Sequence, residues 1–171
     1  MKNMEIERKY LVKEKDLPKN YKNFDCKKMV QGYIYLKPAI RVRKSNDEYY
    51  LTVKDKPQDL KSKCNDLERI EYELKINKKA YNHLVKFSIG RIIYKKRYLI
   101  PYKLNKKNYI IELDIFEKDL KGLIYAEVEF KNVKDAETFI PPGWFYKDVT
   151  GIDKYKNTNL TTCKNIKNLL R

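Results

Sequence analysis

The chain has little histidine, cysteine, tryptophan and arginine, and it has no long apolar run. The single histidine, His83, has no acid or nucleophile near it in the sequence, which excludes a catalytic triad built on that imidazole. The three cysteines, Cys26, Cys64 and Cys163, are odd in number, far apart and without a CxxC pair. Neither a disulfide framework nor a zinc site is expected from them, and reduced thiols are the default reading. No stretch approaches the ~18 apolar residues that a spanning helix needs, and the N-terminus lacks the apolar core of a signal peptide. A cytoplasmic location without a membrane partner is therefore expected. There is no internal repeat and no low-complexity segment, and a length of 171 residues fits one domain over 1–171.

Scarcity of arginine is the most useful of these absences. The formal charge of +16 invites a nucleic-acid reading, because clustered cations release counterions from phosphate backbones. Nearly all the excess is lysine, in a chain crowded with Asn, Ile and Tyr, whose codons are rich in A and T. Base composition explains such lysines, which spread over loops such as 13–28 and 103–107, so no nucleic-acid partner is expected. Only seven residues are arginine, and Arg41, Arg43, Arg69 and Arg97 are four of them. Each sits inside an alternating, strand-like segment. Arginine offers a planar fork that suits phosphate oxygens in a way lysine does not.

What is present in abundance is charge on alternate positions of otherwise apolar segments. In Met4-Glu5-Ile6-Glu7-Arg8-Lys9-Tyr10, period two puts Glu5, Glu7 and Lys9 on one face. Arg41 and Arg43 flank Val42, Thr52 and Lys54 flank Val53, and Arg69, Glu71, Glu73 and Lys75 interleave with Ile70, Tyr72 and Leu74. Lys95 and Arg97 follow, then Glu112 and Asp114 around Leu113, then Glu127 and Glu129 around Val128. Candidate strands cover 5–12, 28–35, 39–45, 48–54, 68–76, 89–100, 109–116 and 124–131, enough to close a small barrel. With the charged faces inward, its lumen holds eight basic and eight acidic groups and needs a charged guest. Asn77 is placed to cap a short helix with Ala80, Leu84 and Phe87 on one stripe and Gly90 just beyond. A second helix is expected over 134–140, stopped by Pro141-Pro142, and a third in the tail, 162–170. Residues 55–66 read as a mobile connection. Trp144 and Phe145 read as a packing lock.

These motifs resemble a known family. Glu5-Ile6-Glu7-Arg8-Lys9 matches the ExExK signature of the CYTH superfamily, the triphosphate tunnel metalloenzymes. Gln31-Gly32-Tyr33-Ile34, Arg41-Val42-Arg43, Leu51 to Lys54, Arg69 to Glu73, Lys95 to Tyr98, Glu112 to Phe116, Gly122-Leu123, Ala126 to Phe130 and Trp144 to Thr150 follow in the family's order, across nearly the whole chain. Asp148-Val149-Thr150 departs from the more usual Glu-Val-Thr, which weakens any role for that carboxylate.

The resemblance implies a mainly β fold, a closed eight-stranded antiparallel barrel that forms a charged tunnel with helices packed outside. It implies Mg2+ or Mn2+ on Glu5, Glu7, Asp114, Glu127 and Glu129, with Glu112 beside them. Lys9, Arg41, Arg43, Lys54, Arg69, Lys95 and Arg97 would bind a triphosphate, and Glu5, Glu7, Lys95 and Tyr33 would form the catalytic set, Tyr33 near the tunnel mouth. Glu71 and Glu73 stand equally as ion-pair partners of facing cations, Lys75 is undecided near a strand end, and Lys96 should point outward. A hard cation takes few protein carboxylates when a triphosphate supplies oxygens of its own. The implied reaction is metal-dependent hydrolysis of a linear triphosphate, inorganic tripolyphosphate first, as in the short bacterial one-domain members. The resemblance also accommodates a homodimer. Thiamine triphosphatase, nucleoside triphosphatase and class IV adenylate cyclase share the tunnel chemistry, while a non-catalytic polyphosphate or RNA-binding protein would need no inward carboxylates.

Overall fold

The computed structural model describes residues 3–55 and 67–170. Eight antiparallel strands form one sheet: β1 Asn3–Leu11, β2 Cys26–Leu36, β3 Ala39–Ser45, β4 Glu48–Asp55, β5 Glu68–Ile76, β6 Ile93–Leu104, β7 Lys107–Phe116 and β8 Ile124–Glu129. Their order, β5-β4-β3-β2-β6-β7-β8-β1, closes on itself because β1 also pairs with β5, Glu5 facing Arg69 and Ile6 facing Glu68. A two-residue strand, β9 (Lys147–Asp148), adds to the outside of β1. The tight hairpins carry suitable residues: Asn46 lies at φ 51° between β3 and β4, and Asn105 and Lys106 both have positive φ between β6 and β7.

The alternation assigns the two faces as the sequence leads one to expect. Outward positions Ile6, Tyr10, Tyr98, Ile100, Ile111, Leu113 and Val128 form an apolar core with Ala136, Phe139 and Phe130 outside the barrel, and Trp144 and Phe145 pack against it. Phe145 stacks at a tilt on Tyr10, ring centroids 4.6 Å apart, which is the expected lock. A second apolar cluster continues the inward phase: Leu11, Ile93, Phe116 and Tyr125 lie two residues beyond Lys9, Lys95, Asp114 and Glu127 respectively. With Tyr33, and with Val149, Tyr155, Leu160 and Leu169 from the C-terminal segment, they fill one end of the bore. The lumen is thus a deep charged cavity floored by apolar side chains.

Three helical expectations change. Asn77 does cap α1 (Lys78–Leu84), its side chain accepting from the Ala80 amide at 2.8 Å. The buried residue of α1 is Tyr81, however, and Phe87 is 59% exposed, because the chain tightens into a 3-10 turn at Val85–Phe87 and rotates Phe87 off the stripe. α2 spans only Val133–Glu137, capped by Asn132. In the tail a four-residue α3, Asn157–Leu160, precedes the expected segment, which holds only a 3-10 turn at Ile166–Asn168. β6 starts at Ile93 rather than at Ile89, since Gly90 takes φ +68° and a Cβ there would meet the Thr161 carbonyl oxygen at 2.3 Å. The connection expected over 55–66 falls almost wholly on residues 56–66, outside the described residues, as does Cys64. Cys26 and Cys163 are free thiols. Among the described residues no helix is long and apolar enough to cross a membrane.

Candidate active site

The bore encloses a cavity of about 990 Å³. Glu5 and Glu7 from β1, Glu112 from β7, and Glu127 and Glu129 from β8 line one wall. Lys9, Arg41, Arg43, Lys54, Arg69 and Arg97 line it as well. Ladder register sets the levels: Glu7 faces Glu129, Lys9 faces Glu127, and Glu112 faces Glu127 from the other side.

Most of these charges are paired. Lys9 Nζ reaches Glu127 at 3.0 Å, and Arg97 Nη2 reaches the other Glu127 oxygen at 2.6 Å. Burial alone would raise the Glu127 pKa, but Lys9, Arg97 and Lys95 outweigh it and hold the carboxyl well below its usual range. Lys54 contacts Glu5 and lies 4.0 Å from Glu7 and 3.8 Å from Glu71. Burial opposes its charge, yet Glu7, Glu5 and Glu71 together raise its pKa. On the opposite wall, Arg41 meets Glu71 at 3.4 Å and Arg43 meets Glu73 at 2.6 Å, so the two open carboxylates of β5 are ion-pair partners of the arginines. Arg69 lines the cavity and donates to the Glu68 carbonyl at 2.7 Å.

Glu129 is the exception. It is exposed to the cavity, with no cationic partner among the described residues. Burial first, then Glu112, Glu5 and Glu7, raise its pKa to about 7. Glu112 is also raised, by burial that Arg97 only partly offsets. A crowded set of oxygen donors with one member lacking a counterion fits a hard divalent cation. Among the described residues no three carboxylates lie close enough together to hold a metal ion by themselves.

Several expected positions differ. Asp114, taken as a metal-facing carboxylate, is completely buried and does not reach the cavity, because it sits one ladder step deeper, opposite Tyr125. Lys95, taken as catalytic and substrate-binding, is likewise 2% exposed beneath the cavity and bonded to Asp114. Burial and Arg97 lower its pKa to about 8 despite Asp114. Tyr33 lies not at a mouth but buried at the floor, where its hydroxyl is 3.5 Å from Gln31 Nε2. Lys96 points outward to Glu117 at 3.1 Å, as its phase requires, and Lys75 pairs with Glu48 on the exposed rim. Asp148 acts on the outside, holding Arg8 and the Thr150 hydroxyl, while Thr150 Oγ1 accepts from the Lys9 amide at 3.0 Å. This clamp fixes the backbone of the ExExK strand.

Sequence reasoning overlooked Lys156, Asn157 and Asn159, which line the cavity. No local motif marks them; they arrive there because Tyr155 and Leu160 anchor their segment in the apolar floor.

Arg41→Lys is expected to lower turnover by about tenfold to a hundredfold, through loss of a planar inward fork, whereas Lys96→Ala changes it less than about twofold. Steady-state kinetics on both variants checks the assignment of strand faces, and equal effects would refute it.

Comparisons with known proteins agree with this fold. A family model described as CYTH domain matches residues 3–139. An inorganic triphosphatase of Nitrosomonas europaea is 34% identical over 159 residues, covering 91% of this chain and 95% of that protein. An inorganic triphosphatase of Acetivibrio thermocellus is 31% identical over 132 residues, covering 76% of this chain and 77% of that protein. A crystal structure of an inorganic triphosphatase superposes with a TM-score of 0.63 at 33% identity, over 93% of this chain and 95% of its own.

Proposed function

The chain belongs to the CYTH family, and from that premise we propose that it is a divalent-metal-dependent triphosphatase that converts inorganic tripolyphosphate to pyrophosphate and phosphate. The observation that carries this reading is the cavity wall of five carboxylates, with Glu129 lacking an ion-pair partner among the described residues, set against the cationic side chains Lys9, Arg41, Arg43, Lys54, Arg69 and Arg97. Glu5, Glu7, Glu127 and Glu129, with Glu112, are the residues that would hold Mg2+ or Mn2+. Such a cation neutralises phosphate charge and acidifies water, which generates a nucleophile near neutral pH.

The protein's own groups supply the rest. Arg41, Arg43, Arg69 and Arg97 offer forks to phosphate oxygens, and Lys9 and Lys54 add point charges along the chain. Water oxygen bonds to the terminal phosphorus, the bridging P–O bond breaks, and pyrophosphate departs with the bridging oxygen. Fixed cations stabilise charge that spreads over the transferring group in a loose transition state, the main contribution in such reactions. On the same reading the chain works as one domain in the cytoplasm, without a nucleic-acid or membrane partner.

A phosphate-release assay over tripolyphosphate, thiamine triphosphate and ATP, each with Mg2+, Mn2+ or chelator, tests the proposal. Tripolyphosphate should be cut fastest, with one phosphate per pyrophosphate, and activity should vanish in chelator; full activity in chelator would remove the metal-dependent reading. Tripolyphosphate with Ca2+ should also raise the melting temperature by several degrees, since a ligand at a hundredfold excess over Kd adds about 2.7 kcal/mol. Single-stranded RNA at equal charge should do little, because the binding cations lie inside the bore. Equal stabilisation by RNA would favour the outer surface as the binding site.

A further inference from the structure

We propose that Asp114 is a positioning residue for Arg97 and Lys95 rather than a ligand of the divalent cation, and that Glu112 supplies the β7 carboxylate on the cation's side. The proposal rests on the triphosphatase reading for its substrate, but its central measurement requires no turnover.

The argument begins with depth. Alternate residues of β7 share the inward face, so Glu112 and Asp114 are equivalent by sequence pattern. The ladder separates them. Glu112 lies opposite Glu127 and lines the cavity, whereas Asp114 lies opposite Tyr125, at a level the apolar floor has already filled. Tyr125 and Asp114 are both 0% exposed there.

Both Asp114 oxygens are committed. Oδ1 accepts from Arg97 Nε at 2.7 Å, and Oδ2 accepts from Arg97 Nη2 at 2.6 Å and from Lys95 Nζ. This is a two-point grip on the guanidinium, which fixes its plane. Arg97 itself lines the cavity, and its remaining reach goes to Glu112 and Glu127. The arginine therefore stands between Asp114 and the guest. For Asp114 to bind the cation it would have to turn away from Lys95, a 2% exposed cation whose ion pair is with Asp114, and reach past Arg97; Glu127 is paired as well, but it lines the cavity and Asp114 does not. Glu112 meets no such obstacle, because it has a cavity face and Arg97 has other partners.

Held this way, Arg97 presents a fork whose orientation is set before the triphosphate arrives. Lys95 shares the same anion. Removing Asp114 should loosen the grip on phosphate without changing the oxygen donors that face the metal.

The test titrates Mn2+ directly into the triphosphate-free protein, following free Mn2+ by electron paramagnetic resonance, and then measures kcat and KM. Asp114→Asn should keep the Mn2+ affinity within about twofold while raising KM for tripolyphosphate about tenfold, whereas Glu112→Gln and Glu129→Gln should each weaken Mn2+ about tenfold. In an Arg97→Lys background, Asp114→Asn should add little to KM, because both changes act through one guanidinium. If Asp114→Asn fails to fold, the pair Lys95→Met with Asp114→Asn removes a cation with the anion and undergoes the same titration. Loss of Mn2+ affinity in either Asp114 variant as large as in Glu129→Gln would make Asp114 a ligand and overturn the proposal. Additive KM effects in the Arg97→Lys background would overturn the positioning role, and unchanged Mn2+ affinity in Glu112→Gln would overturn the role given to Glu112.

Discussion

Replacing Glu129 by glutamine is expected to reduce kcat by about 10²–10³-fold, the range for removing one preorganised electrostatic group, while leaving the fold intact. Glu127 is the instructive contrast. It is 4% exposed and bonded to Lys9 and Arg97, so Glu127→Gln should lose stability together with activity. Among the described residues the main charges acting on Glu129 are Glu112, Glu5 and Glu7, against a weaker pull from Arg97, so its removal relieves repulsion in the metal-free protein. The pH dependence separates the two roles. The folded-state pKa of Glu129 is raised from 4.5 to about 7, so between those values the folded state holds a proton that the unfolded chain releases. Stability from this group is therefore full below about pH 4.5 and is lost as pH rises through about 7. In chelator, the wild-type melting temperature should fall across that window, and in Glu129→Gln the fall should be smaller. Saturating Mg2+ with tripolyphosphate should flatten the wild-type curve as well. Thermal melts from pH 4 to 8 with and without metal make the measurement, and a variant that keeps the wild-type slope would show that Glu129 is not the crowded group.

Strand faces were legible in the sequence because side-chain alternation is local: Arg41 and Arg43, Glu5 and Glu7, and Glu127 and Glu129 all point inward as their phase requires. Lys96, between two inward residues, points out for the same reason. Depth along the bore was not legible, since it depends on register between strands distant in sequence. Glu112 and Asp114 look alike in the pattern, and only the pairing of β7 with β8 puts one at the cavity and the other beneath it. Register likewise settles Glu71 and Glu73, which fall beside Arg41 and Arg43 through the β3-β4-β5 ladders. The apolar floor was hidden because Leu11, Ile93, Phe116 and Tyr125 read as ordinary strand ends until Tyr155 and Leu160 join them from the C-terminal segment. The start of β6 was misjudged because a tertiary contact outweighs the strand pattern at Gly90, which is pressed against Thr161.

Arg97→Met is expected to be the most destabilising single change in the bore. One guanidinium serves three carboxylates there, bonding both Asp114 oxygens, Glu127 at 2.6 Å and Glu112. Methionine preserves much of the volume and the apolar stem but leaves Asp114 with Lys95 alone, Glu127 with Lys9 alone, and Glu112 without its cation. Breaking a buried ion network by removing one partner costs about 3–5 kcal/mol, a large share of the ~5–15 kcal/mol that holds a typical domain together. For a chain of this size each kcal/mol moves the melting temperature by about 2–4 °C, so a fall on the order of 10 °C is expected. Acidification tells the electrostatic cause from a packing defect. Without Arg97, the carboxylates left behind should take up protons at higher pH in the folded state than in the unfolded chain, so their penalty disappears as pH falls and grows as pH rises. Arg97→Met should therefore recover part of its lost stability between about pH 7 and 5, whereas a cavity left by poor packing would cost the same at every pH. A melting temperature within about 2 °C of wild type at pH 7 would mean that the network is solvent-compensated and that Arg97 is held for its contact with phosphate alone.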